Sequence, residues 1–159
     1  MVGGGEMSDQ MNLRPATIAD VPRLAELSGV LGYPVAVEKL AARVARLLAR
    51  GEDLLLVAER GARVVGWIHA AEQELVESGR RCEILGLVVD GEQRRGGVGR
   101  RLVAAIETWA HQRGLEEVSV RSAITRSESH PFYERLGFVR VKTQHVYRKR
   151  VSAPGAVRV

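Results

Sequence analysis

With 159 residues, 45% of them hydrophobic, the chain suits one domain with a sizeable core and has no length for a second. Its single cysteine, Cys82, excludes an internal disulfide framework and fits a reducing, cytoplasmic setting, while no apolar run reaches bilayer length and no signal-peptide pattern opens the chain. The net charge of +5 invites a nucleic-acid partner, but all 19 acidic residues precede position 140, and the excess sits in Arg140, Lys142, Arg148, Lys149, Arg150 and Arg158. That is a basic C-terminal end with no stacking surface beyond Tyr147, so neither nucleic acid nor a membrane is expected.

Residues 1–10 are glycine-rich and polar and read as a disordered leader; residues 151–159 read as a flexible basic tail. Between them, Met11–Arg14 suits a short strand. Thr17 or Asp20 caps a helix with Pro22 in its first turn and Ile18, Val21, Leu24 and Leu27 on one face, broken by Gly29 and Gly32. A second helix, Val37–Arg50, carries Leu40, Val44, Leu47 and Leu48, and Gly51 marks its end. Leu54–Glu59 and Arg63–Ala71 form a hairpin around Arg60, Gly61 and Ala62. After an acidic connection (Glu72, Glu74, Glu77) comes a strand over Ile84–Val89. A helix then bears Val98, Leu102, Ala105, Ile106 and Trp109 at helical spacing and closes at Gly114. A short strand at Glu117–Arg121, a helix at His130–Leu136 closed by Gly137, and final strands at Phe138–Val141 and Gln144–Lys149 complete the order.

The organising stretch is the passage from Ile84–Val89 through RRGGVGR into the long helix. Gly96, Gly97 and Gly99 let backbone approach a ligand, the amides of the first helical turn are free for an anion, and Arg94, Arg95, Arg100 and Arg101 add positive charge. The loop lacks the Lys-Ser/Thr ending of a nucleotide P-loop, and its glycines do not give the dinucleotide fingerprint. A glycine-rich turn at a helix start is also, often, only a turn.

What remains is R-x-x-G-x-G (Arg94 to Gly99) after an L-x-V strand end (Leu87 to Val89), with a second block, Pro131-Phe132-Tyr133-Glu134-Arg135-Leu136-Gly137-Phe138. Together these resemble the acetyl-CoA signature and the FYE-x-x-GF stretch of the GNAT superfamily of N-acetyltransferases. The resemblance covers about residues 11–150. It implies an α/β (mixed α+β) single domain with a central, mostly antiparallel mixed sheet of six to seven strands and about four helices on both faces. It further implies acetyl transfer from acetyl-CoA to a primary amine of a small molecule or peptide. The pyrophosphate would lie on Arg94, Arg95, Gly96, Gly97, Val98, Gly99 and Arg100, the pantetheine arm and acetyl carbonyl on Leu87, Val88 and Val89. Tyr133 would protonate the departing thiolate, although on its own it reads rather as a packed aromatic.

For the base, Glu83 is the first choice: by alternation it shares a face with Leu85, Leu87 and Val89, and a carboxylate on an apolar face needs a reason. The bland alternative is an ion pair with Arg81 or Arg63. His69 is the alternative base, since imidazole titrates near neutrality; His130 and His145 are weaker candidates, and His111 belongs to the helix surface. No metal-ligand spacing occurs, so no metal is expected. Cys82 reads as a buried structural thiol. The chain departs from the family where Arg126 stands in place of a cofactor-contacting asparagine and Gly91 in place of proline; Arg126 could reach the cofactor phosphates or the substrate instead. The acids Glu72, Glu74, Glu77 and Glu83 would wall the substrate cleft and favour a cationic acceptor. Two further readings are a non-catalytic acyl-CoA-binding sensor and, through the terminal strands, a homodimer.

Overall fold

The computed structural model describes residues 10–93 and 96–153, in two compact units divided after Ser122. Arg94 and Arg95, nearly all of the expected leader and residues 154–159 of the expected tail lie outside the described residues.

The first unit is a five-stranded sheet in chain order: β1 (Met11–Pro15), β2 (Asp53–Arg60), β3 (Arg63–Leu75), β4 (Gly79–Val89) and β5 (Val118–Val120). The first four are antiparallel neighbours, and β5 runs parallel to β4. A parallel return needs a crossover, and the helix α3 (Val98–Gln112) supplies it. The β2–β3 hairpin turns on two left-handed residues, Gly61 at φ 58° and Ala62 at φ 63°. Such turns match the right-handed twist of the strands they join. Asp20 sets up helix α1 (Val21–Val30) by accepting the Thr17 N–H at 2.8 Å and pairing with Arg14 at 2.8 Å.

Helices cover both faces of this sheet. Trp67 packs with Leu24 and Leu27 of α1, Val44 of α2 (Val37–Leu48), and Leu55, Val57 and Val88 of the strands. The preceding residue on β3, Gly66, faces Val98 and Leu102 of α3. Neighbouring strand residues point to opposite sides, so α1 and α2 lie on one face and α3 on the other. The second unit holds α4 (Ser129–Arg135).

Several expectations change. The sheet has five strands among the described residues, not six or seven: residues 138–153 form no ladder, and Val139, Val141 and Tyr147 are more than 80% exposed. Alternating valines express a local preference, whereas a strand exists only where a neighbour takes its hydrogen bonds. The acidic connection is absorbed instead into the long β3–β4 hairpin, which pairs as far as Leu75 and Gly79. Helix α1 continues through Gly29 to Val30, and α2 stops at Leu48.

Candidate active site

The β4–α3 junction is built by few contacts. At the end of β4 the Asp90 N–H donates to the Val65 carbonyl at 2.9 Å, and the Asp90 carboxylate accepts from the Glu92 N–H at 3.1 Å and Arg23 Nη2 at 2.8 Å. Those donors, the backbone N–H first, hold the Asp90 carboxyl below the usual carboxylate range despite its burial. The chain turns over Gly91–Gln93 and reaches Gly97, which caps α3 in the left-handed region at φ 79° with open space where a side chain would stand. That conformation suits glycine. The N–H groups of the first turn have no carbonyl within their own helix to bond, and they carry the positive end of the helix dipole. The Arg101 N–H is the exception, spent on the Gly97 carbonyl at 3.0 Å, while its guanidinium donates to the Met11 carbonyl at 2.9 Å.

The strand leading to this turn is open on one side. Among the described residues β5 pairs with β4 only at Cys82, Glu83 and Ile84, leaving Leu85 to Val89 with β3 as their one ladder. A bulge interrupts that ladder as well. His69 pairs with Gly86 and Ala70 with Ile84, so Leu85 is the extra residue, half exposed. Trp67 lies so close over Gly86 that a Cβ there would stand 2.8 Å from its ring.

The bulge changes which residues share a face. Leu87 and Val89 stand opposite Ile68 and Gly66, on the α3 side, but Glu83 stands opposite Ala71, on the side of Trp67 and His69. Straight alternation from Glu83 to Leu87 and Val89 therefore fails by one residue. Glu83 is buried and pairs with Arg121 Nε of the segment after β5 at 3.0 Å, not with Arg81 or Arg63. Two rungs along, His69 Nε2 meets Asp53 Oδ1 at 2.9 Å, and Arg50 Nε lies 2.9 Å from Asp53 Oδ2. His69 and Trp67 wall a small apolar cavity of about 80 Å³ with residues of α1, α2 and Leu55. Cys82 is fully buried, and burial, with Glu72 and Glu83 nearby, pushes its thiol up to about 11. A thiol so held is no nucleophile at neutral pH.

In the second unit Tyr133 stacks edge-on against Phe132, with ring centroids 5.0 Å apart, and against Phe138, 5.6 Å apart. Burial pushes its phenol above the ordinary value, and the charge of Arg126 works the other way. A phenol in that position stays protonated and can donate. Gly137 follows α4 at φ 92°, the left-handed cap that ends the helix. His130 Nε2–H donates to the Ala123 carbonyl at 2.9 Å.

A strand end open to one side leads here into a left-handed glycine and a helix N-terminus, and comparison with known proteins shows the family. The model of the acetyltransferase (GNAT) family matches residues 25–138. The chain belongs to that family. It is 34% identical to glucosamine 6-phosphate N-acetyltransferase 1 of Oryza sativa subsp. japonica, over 89% of this chain and 88% of that protein. Among solved structures it is similar to an aminoglycoside N-acetyltransferase in complex with CoA, with TM-score 0.83, 19% identity, and coverage of 92% of this chain and 99% of that one. An aminoglycoside antibiotic 6′-N-acetyltransferase from Acinetobacter baumannii gives TM-score 0.80 at 21% identity, covering 90% and 100%.

For a GNAT acyltransferase the geometry sorts the residues singled out by sequence. Leu87, Val88 and Val89 lie on the open edge of β4, and Gly96, Gly97, Val98, Gly99 and Arg100 lie at the start of α3. Glu83 and His69 share the face covered by α1 and α2. Glu72 leaves the group of cleft acids. It pairs with Arg80 and with Arg113 at the end of α3, bonds that hold its carboxyl low despite burial, and it faces away from Glu83. Glu74 and Glu77 are exposed. The buried acid that the sequence reading missed is Asp53, whose side chain is 2% exposed. An acid two residues beyond Gly51, at the head of an apolar strand, was its only local sign. Arg60 was also missed: Nη1 donates to Gln93 Oε1 at 2.6 Å and lies against Gly96.

Proposed function

We propose that this acetyltransferase moves an acetyl group from acetyl-CoA to a primary amine of a small molecule or peptide by direct attack. The observation that carries this is the open edge of β4 running into the left-handed Gly97 and the free end of α3. A pyrophosphate suits a site of this kind because backbone amides and dipole act together and the missing side chain leaves room. Gly96, Gly97, Val98, Gly99 and Arg100 would hold it, with Arg94 and Arg95 adding charge. Backbone groups of Leu87, Val88 and Val89, unpaired towards β5, would take the pantetheine arm and align the acetyl carbonyl, which makes positioning a large part of catalysis. Arg126 would answer a phosphate or the substrate.

Acetyl-CoA supplies the acyl group as a thioester; the chain supplies proton handling. Tyr133, kept protonated by burial, would donate to the departing thiolate. Glu83 would draw a proton from the amine through water while Arg121 keeps its carboxylate oriented. The buried carboxylates are each paired with a cation, so the acceptor class is drawn from the relatives. Amino sugars come first, since the rice relative is named for glucosamine 6-phosphate and structural neighbours for aminoglycosides. A cytoplasmic site of action fits the single, buried, reduced cysteine.

The test is thiol release from acetyl-CoA with glucosamine 6-phosphate, an aminoglycoside, a polyamine and a lysine peptide as acceptors. Release with one class supports the proposal and names the acceptor. Saturable cofactor binding with no release on any class would favour a non-catalytic sensor of acyl-CoA.

A further inference from the structure

An amine that arrives as an ammonium sheds two protons from nitrogen before it becomes an amide. The first must leave before attack, because the ammonium has no lone pair. The second leaves as the C–N bond forms and the C–S bond breaks. The thiolate takes up one proton, and one is released to solvent. Two proton transfers from one nitrogen call for more than one acceptor or for rapid exchange with water. Glu83 accounts for one of them in the function proposed above, on which this inference rests.

A second acceptor stands on the same face. His69 pairs across the ladder with Gly86, beside the bulge at Leu85, while Glu83 pairs with Ala71, two residues further along β3. The two side chains thus stand on one face of the sheet, two rungs apart with the Leu85 bulge between them. An ionised carboxylate only accepts hydrogen bonds. The 2.9 Å contact between His69 Nε2 and Asp53 Oδ1 therefore requires a neutral His69 to donate Nε2–H, which leaves the lone pair on Nδ1. The Asp53 side chain is 2% exposed, and Arg50 Nε lies 2.9 Å from Oδ2 as an ion pair without hydrogen-bond geometry. His69, at 16% side-chain exposure, keeps a route to water. The charged groups around it are Asp53 of β2, Arg50 after α2, and Glu83 with its partner Arg121. The cavity residues of α1 and α2 beside it, Leu24, Ser28, Leu40, Val44 and Leu47, carry no ionisable group in the physiological range.

We propose that His69 is a second proton acceptor for the amine nitrogen, with Asp53 as the positioning residue that fixes its tautomer and orientation. His69 takes the proton on Nδ1 and passes it to solvent, and the Asp53 carboxylate stays ionised throughout.

The full chain, H69Q and D53N are compared with acetyl-CoA and glucosamine 6-phosphate, following turnover against pH and cofactor affinity separately. H69Q is expected to lose about 10²-fold in turnover and the acid limb of the profile, with acetyl-CoA affinity unchanged. D53N is expected to lose about tenfold and to displace that limb, which a merely structural role would leave in place. The imidazole ¹⁵N shifts of His69 form the independent arm, and they need neither substrate nor variant. A neutral ring protonated on Nε2 is expected; protonation on Nδ1 overturns the inference even if D53N does not fold or this amine is not turned over. An active wild type with an unaltered H69Q sinks the inference and leaves the acetyltransferase reading standing. Absence of thiol release with every amine strikes that reading instead.

Discussion

The two faces of the sheet are built on different principles. On the α3 side the fully buried residues are apolar, Ile68, Ala70, Ile84, Leu102 and Ile106 being at most 4% exposed, and the acid Glu72 lies at the far end of the face with Arg80 and Arg113. On the side of α1 and α2 the core cluster is bordered by buried charges, each one paired: Asp20 with Arg14, Asp53 with Arg50 and His69, Glu83 with Arg121. The first arrangement holds a helix end still, as the proposed phosphate site requires. The second keeps ionisable groups dry and oriented, which proton transfer needs. One bulged residue, Leu85, separates the two along β4.

The comparison can be broken from either side. The largest effect is expected at the cradle. In G97V a branched side chain meets a φ of 79° that it tolerates poorly and fills the space over the free amides. Acetyl-CoA affinity should fall roughly 10³-fold by calorimetry, and retained affinity would reduce the loop to a turn. On the apolar face, L102A should cost about 3 kcal/mol in denaturant unfolding, nearly the same at pH 5 and pH 8, because only packing is lost. A strong pH dependence there would erase the contrast between faces. Tyr133 lies in the second unit, and Y133F should lower turnover about 10²-fold with little change in cofactor affinity.

The charged face should respond to pH. The hydrogen bonds from Arg14, set against burial, hold the Asp20 carboxyl below the usual carboxylate range. Its stabilisation is therefore complete above the unfolded carboxylate value of about 3.9 and is lost as pH falls through the lower folded value. D20N should cost roughly 2 kcal/mol at neutral pH and remove that part of the acid lability; equal losses at pH 3 and pH 7 would contradict the pairing. The smallest effect is expected for E83Q, about a tenfold loss of turnover relieved at high pH, where free amine forms unaided. A loss without relief would assign Glu83 to structure.

How much of this was legible in sequence divides along the same line. The strand–turn–helix of the β4–α3 junction could be read because its parts are contiguous: a strand end, glycines at fixed spacing, a helix at 3.6-residue period. The glycine caps at Gly114 and Gly137 were legible for the same reason, each in the left-handed region after its helix. The charged face is assembled from four strands. Asp53 and His69 are 16 residues apart, and only the β2–β3 register brings them together, so Asp53 went unnoticed. Glu83 was placed on the face of Leu87 and Val89 because alternation counts residues, and the bulge at Leu85 adds one without a marker of its own. Arg121 escaped as its partner because the parallel pairing of β5 follows from the crossover through α3 and not from any local pattern. The final strands expected at Phe138–Val141 and Gln144–Lys149 failed for the converse reason, since their local pattern is sound and their ladder is missing.

The most direct measurement is calorimetric titration of the intact chain with acetyl-CoA and with free CoA. A saturable one-to-one isotherm for both, weakened in G97V, is the predicted result and ties the cofactor to the Gly97 end of α3. No binding of either by a folded chain would contradict the assignment of the β4–α3 junction, and with it the proposed reaction.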